Sequence, residues 1–315
     1  MNITDTLKKL YGLTASAVQP ANGGFSTKAA FRIDSAEGAC YFLKVYDNRR
    51  PTTRFFVERI ETYMPVLDCL STSDALRGRV LTPVRALDGS YKVEMESETY
   101  VVFRFVEGTV PGIEGMSQEQ TIELAEILAL LHESTVESTD KYPGLNEDIS
   151  LPFCLRLQEY LQQPHPGATE LSDVVLPHTQ TLQQAIETAL LLRDRHRTDC
   201  DKLVFCHGDA HGNNVIQSDR LVLVDWEDLR LAPVEADLFI YAWHPFGNVL
   251  LQAYSHARKG YQVNSELLHF YVLRRRLEDL WVDIQRFTEE SPSQEEKTTL
   301  LRWIEIGLGK VISLV

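Results

Sequence analysis

Apolar side chains at Ile3, Leu7 and Leu10 recur at helical spacing, so a short amphipathic helix is expected over residues 2–11. The pattern then shifts to short β-type runs at 16–19, 28–34 and 40–46. Asn22-Gly23-Gly24 and Glu37-Gly38 supply the turn chemistry between them. Residues 52–70 return to helical spacing, with Phe56, Ile60, Tyr63, Met64 and Leu67 near one face. Pro65 is expected to kink or break that helix, because proline lacks the backbone donor and crowds the preceding turn. Two further strands are expected at 80–87 and 99–106, separated by Asp88-Gly89. The order β-β-β-α-β-β predicts an α+β lobe built on an antiparallel sheet.

The pattern changes after Val106. Glu107-Gly108-Thr109-Val110-Pro111-Gly112 has the composition of a linker. Ser117 with Gln120 three residues on is a capping box, and it opens a helix carrying Leu124, Leu128 and Leu131. Helical spacing then dominates, over 153–163, 178–196, 235–243, 248–258, 265–288 and 293–313. One stretch of short strands and polar loop, 203–225, interrupts it. The expected organisation is a small β-rich lobe, 1–106, joined by a hinge to a larger and mainly helical lobe, 107–315.

Composition narrows the partners. The 315 residues carry 31 basic and 45 acidic side chains, a formal net charge of −14, which repels nucleic acid and attracts a cationic small molecule. No run approaches the roughly 20 apolar residues that cross a bilayer. The N-terminal segment lacks the apolar core and cleavage site of a secretory leader. Five scattered cysteines without a C-x-x-C pair argue against a disulfide framework or a thiolate zinc site, so a reducing cytoplasm is the expected compartment.

The chemistry concentrates in one stretch. An apolar strand runs into His207-Gly208-Asp209, Asn214 stands five positions after Asp209, and Asp225 ends a second apolar strand. Phosphoryl transfer from ATP needs a carboxylate to take the hydroxyl proton. It also needs a neutral oxygen and a second carboxylate to hold Mg²⁺ against the phosphates. The Asp-x4-Asn separation and the later Asp match the catalytic loop and magnesium aspartate of protein kinases, with Gly208 in place of the arginine of H-R-D and Trp226-Glu227 in place of Phe-Gly.

These residues, with Leu231-Ala232-Pro233, Glu235 and Asp237-Leu238, resemble the aminoglycoside phosphotransferases and their choline-, homoserine- and methylthioribose-kinase relatives. They look most like the spectinomycin phosphotransferase branch. The resemblance implies a protein-kinase-like two-lobe fold, ATP and Mg²⁺ as cofactors, and a small-molecule hydroxyl as acceptor. It implies Asp209 as catalytic base, Asn214 and Asp225 as metal ligands, and Lys44 as the lysine on the α- and β-phosphates. On the following helix Glu58 and Glu61 both qualify as the partner of Lys44. Glu61 is favoured, since Leu67 and Leu70 then fall where the family has helix-end leucines. Gly23, Gly24, Ser26 and Thr27 occupy the nucleotide loop, with Lys28 where relatives often carry Asn, and Phe105 lies in the adenine-facing hinge. The acceptor is expected over the helical lobe, with Glu227, Asp228, Trp243, His244, Glu278, Asp279, Trp281 and Asp283 as candidate walls.

Plainer roles compete at several positions. His207 is expected to brace the loop, Asp237 to cap or brace, and His132 to fill core at a helix end. His211 is open between structure and substrate. The acids of 278–283 also suit a solvated helix face. Two rival classes use the same residues. On an extended strand, His207, Asp209 and His211 would face one metal, as in a metal-dependent hydrolase. The other is an inactive kinase-like binding module, against which the retention of Lys44, Asp209, Asn214 and Asp225 argues.

Overall fold

The computed structural model describes residues 3–24, 27–134, 142–164, 168–196, 203–242 and 244–315. The chain opens with helix α1 (Ile3–Tyr11), followed by β1 (Ala15–Ala21), β2 (Ala29–Ser35) and β3 (Cys40–Asp47). Helix α2 (Pro51–Thr72) follows, then β4 (Pro83–Val84), β5 (Lys92–Met95) and β6 (Glu98–Arg104). The strands form one antiparallel sheet in the order β1-β2-β3-β6-β4, with β5 also on β6. Leu7 and Tyr11 of α1 pack with Ile33, Tyr41, Leu43, Val45 and Val102 into one core cluster. Tyr41, Leu43 and Val45 alternate along β3, so Lys44 and Tyr46 share its opposite face.

Two expectations in this region are corrected, a break of α2 at Pro65 and a full strand over 80–87, and one strand was not foreseen. Helix α2 runs unbroken through Pro65, which lies on its exposed side, where water can take the carbonyl that the missing N–H leaves unbonded. The strand expected at 80–87 contracts to two residues because its backbone is engaged elsewhere. Leu81 N–H donates to Leu223 O (3.2 Å), Ala86 N–H to Ser90 O (2.8 Å) and Leu87 N–H to Leu10 O (2.8 Å). Strand β5 alternates polar and apolar side chains over four residues, Lys92-Val93-Glu94-Met95, a run too short to have been singled out.

Helix α3 (Gln118–Glu133) starts at the expected capping box, with both reciprocal bonds between Ser117 and Gln120 present. It is followed by α4 (Pro152–Gln162), α5 (Thr169–Val175) and α6 (Thr179–His196), of which α5 was not expected. Two small ladders pair β7 (Val204–Cys206) with β10 (Arg230–Ala232), and β8 (Val215–Gln217) with β9 (Leu221–Leu223). Helices α7 (Glu235–Leu238), α8 (Gly247–Ala257), α9 (Ser265–Glu289) and α10 (Gln294–Ile312) complete the chain. The architecture is α+β, an antiparallel sheet followed by a mainly helical remainder.

Two compact units divide the chain. The first comprises Met1–Asn146 and Leu203–Gln262, the second Glu147–Lys202 and Val263–Val315. The boundary expected at 106/107 lies inside the first unit. There the linker at 107–112 is tied down, since Thr109 and Gln217 exchange both backbone bonds (3.0 and 2.8 Å) and Gly112 N–H donates to Gly212 O. In the second unit, α9 packs with α4, α6 and α10, and buried Arg274 pairs with Glu147, which also accepts from Tyr271 Oη at 2.6 Å. No helix among the described residues is long and apolar enough to cross a membrane.

Candidate active site

The described residues expected to act on nucleotide, metal or the acceptor hydroxyl lie in the first unit, and a chain of bonds connects the Asp209–Asn214 loop to the sheet. After β7 the backbone turns at Gly208, whose φ of +82° is left-handed. A side chain there would also strike the Arg230 guanidinium. This explains why glycine stands where protein kinases have arginine. The turn presents Asp209. Asn214 Nδ2 donates to the Asp209 carboxylate (Oδ2) and to its carbonyl, both at 2.9 Å. With its amide nitrogen committed to Asp209, Asn214 keeps its amide oxygen as an acceptor, the group a hard cation selects.

Asn214 O accepts from Val224 N–H at 2.9 Å, so the loop is tied to the residue before Asp225. His207 makes a second tie. Its Nε2 meets Val224 O at 2.9 Å and its Nδ1 accepts from Asp209 N–H at 3.2 Å, so Nε2 carries the proton. Burial pushes the His207 pKa below the ordinary imidazole value, keeping the ring neutral. His207 is therefore the brace that was expected. Because both nitrogens are engaged and the backbone turns at Gly208, the extended three-ligand arrangement of a hydrolase is not formed.

Asp225 has left-handed backbone geometry, φ +66°, a region that aspartate tolerates better than most residues. Its Oδ1 lies 2.5 Å from Lys44 Nζ. Lys44 Nζ also donates to Glu227 Oε1 at 2.8 Å, and Tyr46 Oη donates to that same oxygen at 2.5 Å. Burial opposes the charge of Lys44, but the two carboxylates outweigh it and raise its pKa. Burial and Glu227 together push Tyr46 far above the usual phenol range, so it stays a donor. Two carboxylates around one ammonium leave an excess negative charge. The Asp225 side chain remains 29% exposed, and a Cβ on Gly24 would sit 3.4 Å from its Oδ2. An amide oxygen, a part-exposed carboxylate and a glycine at close approach fit a hard divalent ion facing a phosphate chain.

The proposed pairing of Lys44 with Glu61 is corrected. Glu61 Oε1 accepts from the backbone N–H groups of Tyr91 (2.9 Å) and Lys92 (3.0 Å), bracing the approach to β5. Glu58 pairs with Arg54 on the exposed side of α2. Instead, α2 contributes Arg59, whose guanidinium donates to Glu227 O (3.2 Å) and Leu229 O (2.8 Å).

In the nucleotide loop, Thr27 Oγ1 donates to Gly23 O and Gly24 O, closing a turn. Lys28 pairs with Glu98 at 2.5 Å. Ser26 and Trp243 lie outside the described residues. Phe105 N–H donates to Cys40 O at 3.0 Å, so this amide is taken by the sheet edge, and the Arg32 guanidinium stacks 4.6 Å from the Phe105 ring centroid. His211 Nε2 lies 3.4 Å from Asp209 Oδ2.

Asp237 is the loop brace that was expected, while His132, expected only to fill core at a helix end, is joined to it beneath the loop. Asp237 Oδ1 and Oδ2 accept from Gly208 N–H (2.6 Å) and His207 N–H (2.9 Å). His132 Nε2 meets Asp237 Oδ2 at 3.0 Å, and its Nδ1 meets Tyr254 Oη at 2.7 Å. Hydrogen bonding from His132 overcomes the burial of Asp237 and holds its pKa below the usual carboxylate value. Cys206 joins them closely enough to suggest metal ligands. However, its Sγ contacts Ala232 O and Pro233 O, and the other donors are committed as described. The cluster is a brace. In the second unit, Asp279 pairs with Arg275 (2.7 Å) and Glu278 lies 4.0 Å from the buried Arg274, both acids half-buried on α9.

The sequence model of the phosphotransferase enzyme family, APH, matches residues 17–267. No curated protein matches by sequence. Among solved structures, a spectinomycin phosphotransferase in complex with ADP and spectinomycin superposes with a TM-score of 0.74 at 18% identity, over 99% of this chain and 98% of that one. A microcompartment-associated aminopropanol kinase gives 0.63 at 16% identity, over 99% of both chains. A macrolide 2'-phosphotransferase from Brachybacterium faecium gives 0.58 at 13%, over 96% of both. At these identities the likeness is one of fold, while the family match runs over most of the sequence, and the chain belongs to the APH phosphotransferase family.

Proposed function

We propose that this chain transfers the γ-phosphoryl group of ATP to a hydroxyl of a small cationic molecule, with an aminocyclitol such as spectinomycin as first candidate. The observation that carries the reading is the bonded series from Asp209 through Asn214 and Val224 to Asp225 and Lys44. Asp209 orients the acceptor hydroxyl and takes its proton as the new oxygen–phosphorus bond forms and the bond to the β-phosphate oxygen breaks, releasing ADP. Asn214 and Asp225 would hold Mg²⁺, which when bound neutralises charge on the phosphates. Lys44 has three N–H donors, two spent on carboxylates and one left for a phosphate oxygen. Gly23, Gly24 and Thr27 serve the phosphate side, and Phe105, through its ring or carbonyl, the adenine side. The rate gain comes chiefly from alignment and charge neutralisation.

In this reading residues 1–106 form the nucleotide lobe and 107–315 the lobe that carries catalysis and acceptor, working in the cytoplasm as an antibiotic-modifying enzyme. The net charge of −14 supports a cationic acceptor. The fold likeness to an aminopropanol kinase favours a small amino alcohol as the second reading. The test is a panel of spectinomycin, other aminoglycosides, choline, homoserine and methylthioribose incubated with ATP and Mg²⁺, with products read by mass. One acceptor gaining a phosphoryl group is the expected result. Retained nucleotide with no acceptor-stimulated ADP release indicates a binding module and overturns the reading.

A further inference from the structure

We infer that Glu227 is the positioning residue for Lys44, doing from the metal-side turn what a carboxylate on α2 was expected to do. This rests on the phosphotransferase reading above and names a residue that reading does not use. Three observations support it. Glu227 is buried, and its Oε1 is fixed from two directions, by Lys44 Nζ at 2.8 Å and by Tyr46 Oη at 2.5 Å. Lys44 and Tyr46 are two positions apart on one face of β3, so the strand itself sets their spacing. The backbone beneath Glu227 is fixed as well, by the two Arg59 bonds to Glu227 O and Leu229 O. Meanwhile Glu61 and Glu58, the two glutamates of α2, are spent on the Tyr91 and Lys92 amides and on Arg54.

The arrangement has a chemical rationale. Asp225 is claimed twice, by Lys44 and by the divalent ion it would bind. Glu227 is the carboxylate that would still hold Lys44 were an Asp225 oxygen to ligate the ion. Arg59 inverts the usual polarity of the link, since α2 offers a cation to backbone carbonyls rather than an anion to the lysine. Tyr46 donates to Glu227 without adding charge, which keeps the carboxylate in place for Lys44.

The test compares Glu227→Gln, Tyr46→Phe and Glu61→Gln by two readouts. The first is steady-state kinetics at saturating Mg²⁺. The inference expects Glu227→Gln to raise KM for ATP about tenfold or more, the scale of one charge-assisted hydrogen bond, with KM for the acceptor little changed. Tyr46→Phe should shift KM for ATP in the same direction by a smaller factor, Glu227→Asp should recover part of the loss, and Glu61→Gln should have the smallest effect. The second readout is ¹⁵Nζ NMR of Lys44 in the protein free of nucleotide and metal, where Glu227→Gln should shift or broaden the ammonium resonance. A larger ATP effect from Glu61→Gln than from Glu227→Gln overturns the inference. So does a Glu227→Gln variant that changes only the Mg²⁺ requirement and leaves the Lys44 resonance in place. If the wild-type chain consumes no ATP with any acceptor, the phosphotransferase reading falls. The resonance then decides alone, and an unmoved Lys44 signal overturns the positioning role. Should Glu227→Gln fail to fold, Tyr46→Phe is read by the same two measurements, and no shift in either one overturns the role.

Discussion

His132 Nε2 and Asp237 Oδ2 stand 3.0 Å apart with neither side chain exposed, although 105 positions separate them in the chain. Asp237 spends its remaining capacity on the N–H groups of His207 and Gly208, the two residues that lead into Asp209. One buried carboxylate thus fixes the turn from which the Asp209–Asn214 loop departs. Asp237→Ala leaves two backbone donors and an imidazole without their acceptor inside the protein. The expected cost is roughly 3 kcal/mol or more, the range for breaking one side of a buried charged network. Urea unfolding checks it, and a variant within 1 kcal/mol of wild type, by the usual scatter of surface changes at about 0.5 kcal/mol, contradicts the brace.

Asp209 is different, because its part-exposed carboxylate faces Asn214 Nδ2 and His211 Nε2. In Asp209→Asn the new amide can still present an oxygen to Asn214 Nδ2, so the loop is expected to keep its shape while losing its base. Turnover should fall by about 10²-fold or more, the scale of general-base catalysis, with ATP affinity largely retained. Calorimetric titration of nucleotide beside kcat separates the two effects. Near-normal kcat would remove Asp209 from the chemistry.

Asp225→Asn tests the metal side. Asparagine tolerates the left-handed backbone at φ +66°, and Lys44 keeps Glu227, so the variant should fold. It presents a neutral oxygen where the excess charge of the cluster resided, and Mg²⁺-dependent ATP binding and turnover are expected to be lost. Chelation of Mg²⁺ should abolish wild-type turnover to the same extent. Activity that persists in chelator argues against the oxygen ligand set of Asn214 and Asp225.

The part of the site that was legible in the sequence is the part written in consecutive residues. Asp209, Asn214 and Asp225 were readable because one loop and the short β8–β9 hairpin fix their spacing, and Lys44 was readable through the family resemblance. Glu61 misled because helical spacing locates a carboxylate on α2 but not which backbone donors the sheet will bring to it. Glu227 and Arg59 depend on where the turn Trp226–Asp228 lies against α2, which periodicity does not encode. The same applies to the fold. Helices with strong apolar stripes and a capping box were foreseen nearly to the residue. The strand expected at 80–87 shrank to β4 because flanking amides found partners on β9 and α1.

Asp283, on the long helix α9 of the second unit, offers a pH test independent of catalysis. Burial raises its pKa to about 6, with the nearby charge of Asp279 adding to the effect and Arg286 opposing it. The unfolded chain titrates this group near the ordinary aspartate value of about 3.9. A folded pKa above the unfolded one means the folded state holds the proton more tightly. The stability this group contributes is therefore complete below about pH 4 and lost as pH rises through about 6. Asp283→Asn replaces the carboxyl with a group that never ionises. It should melt above wild type at pH 7.5 and with wild type at pH 4, the gap opening across the interval between. Burial gives His207 the opposite dependence, with stability lost as pH falls below about 6.5, the unfolded imidazole value. That contribution is common to both proteins and cancels in the difference. Thermal unfolding of the pair at several pH values decides it, and a melting difference that does not change with pH would mean Asp283 does not titrate as its surroundings require.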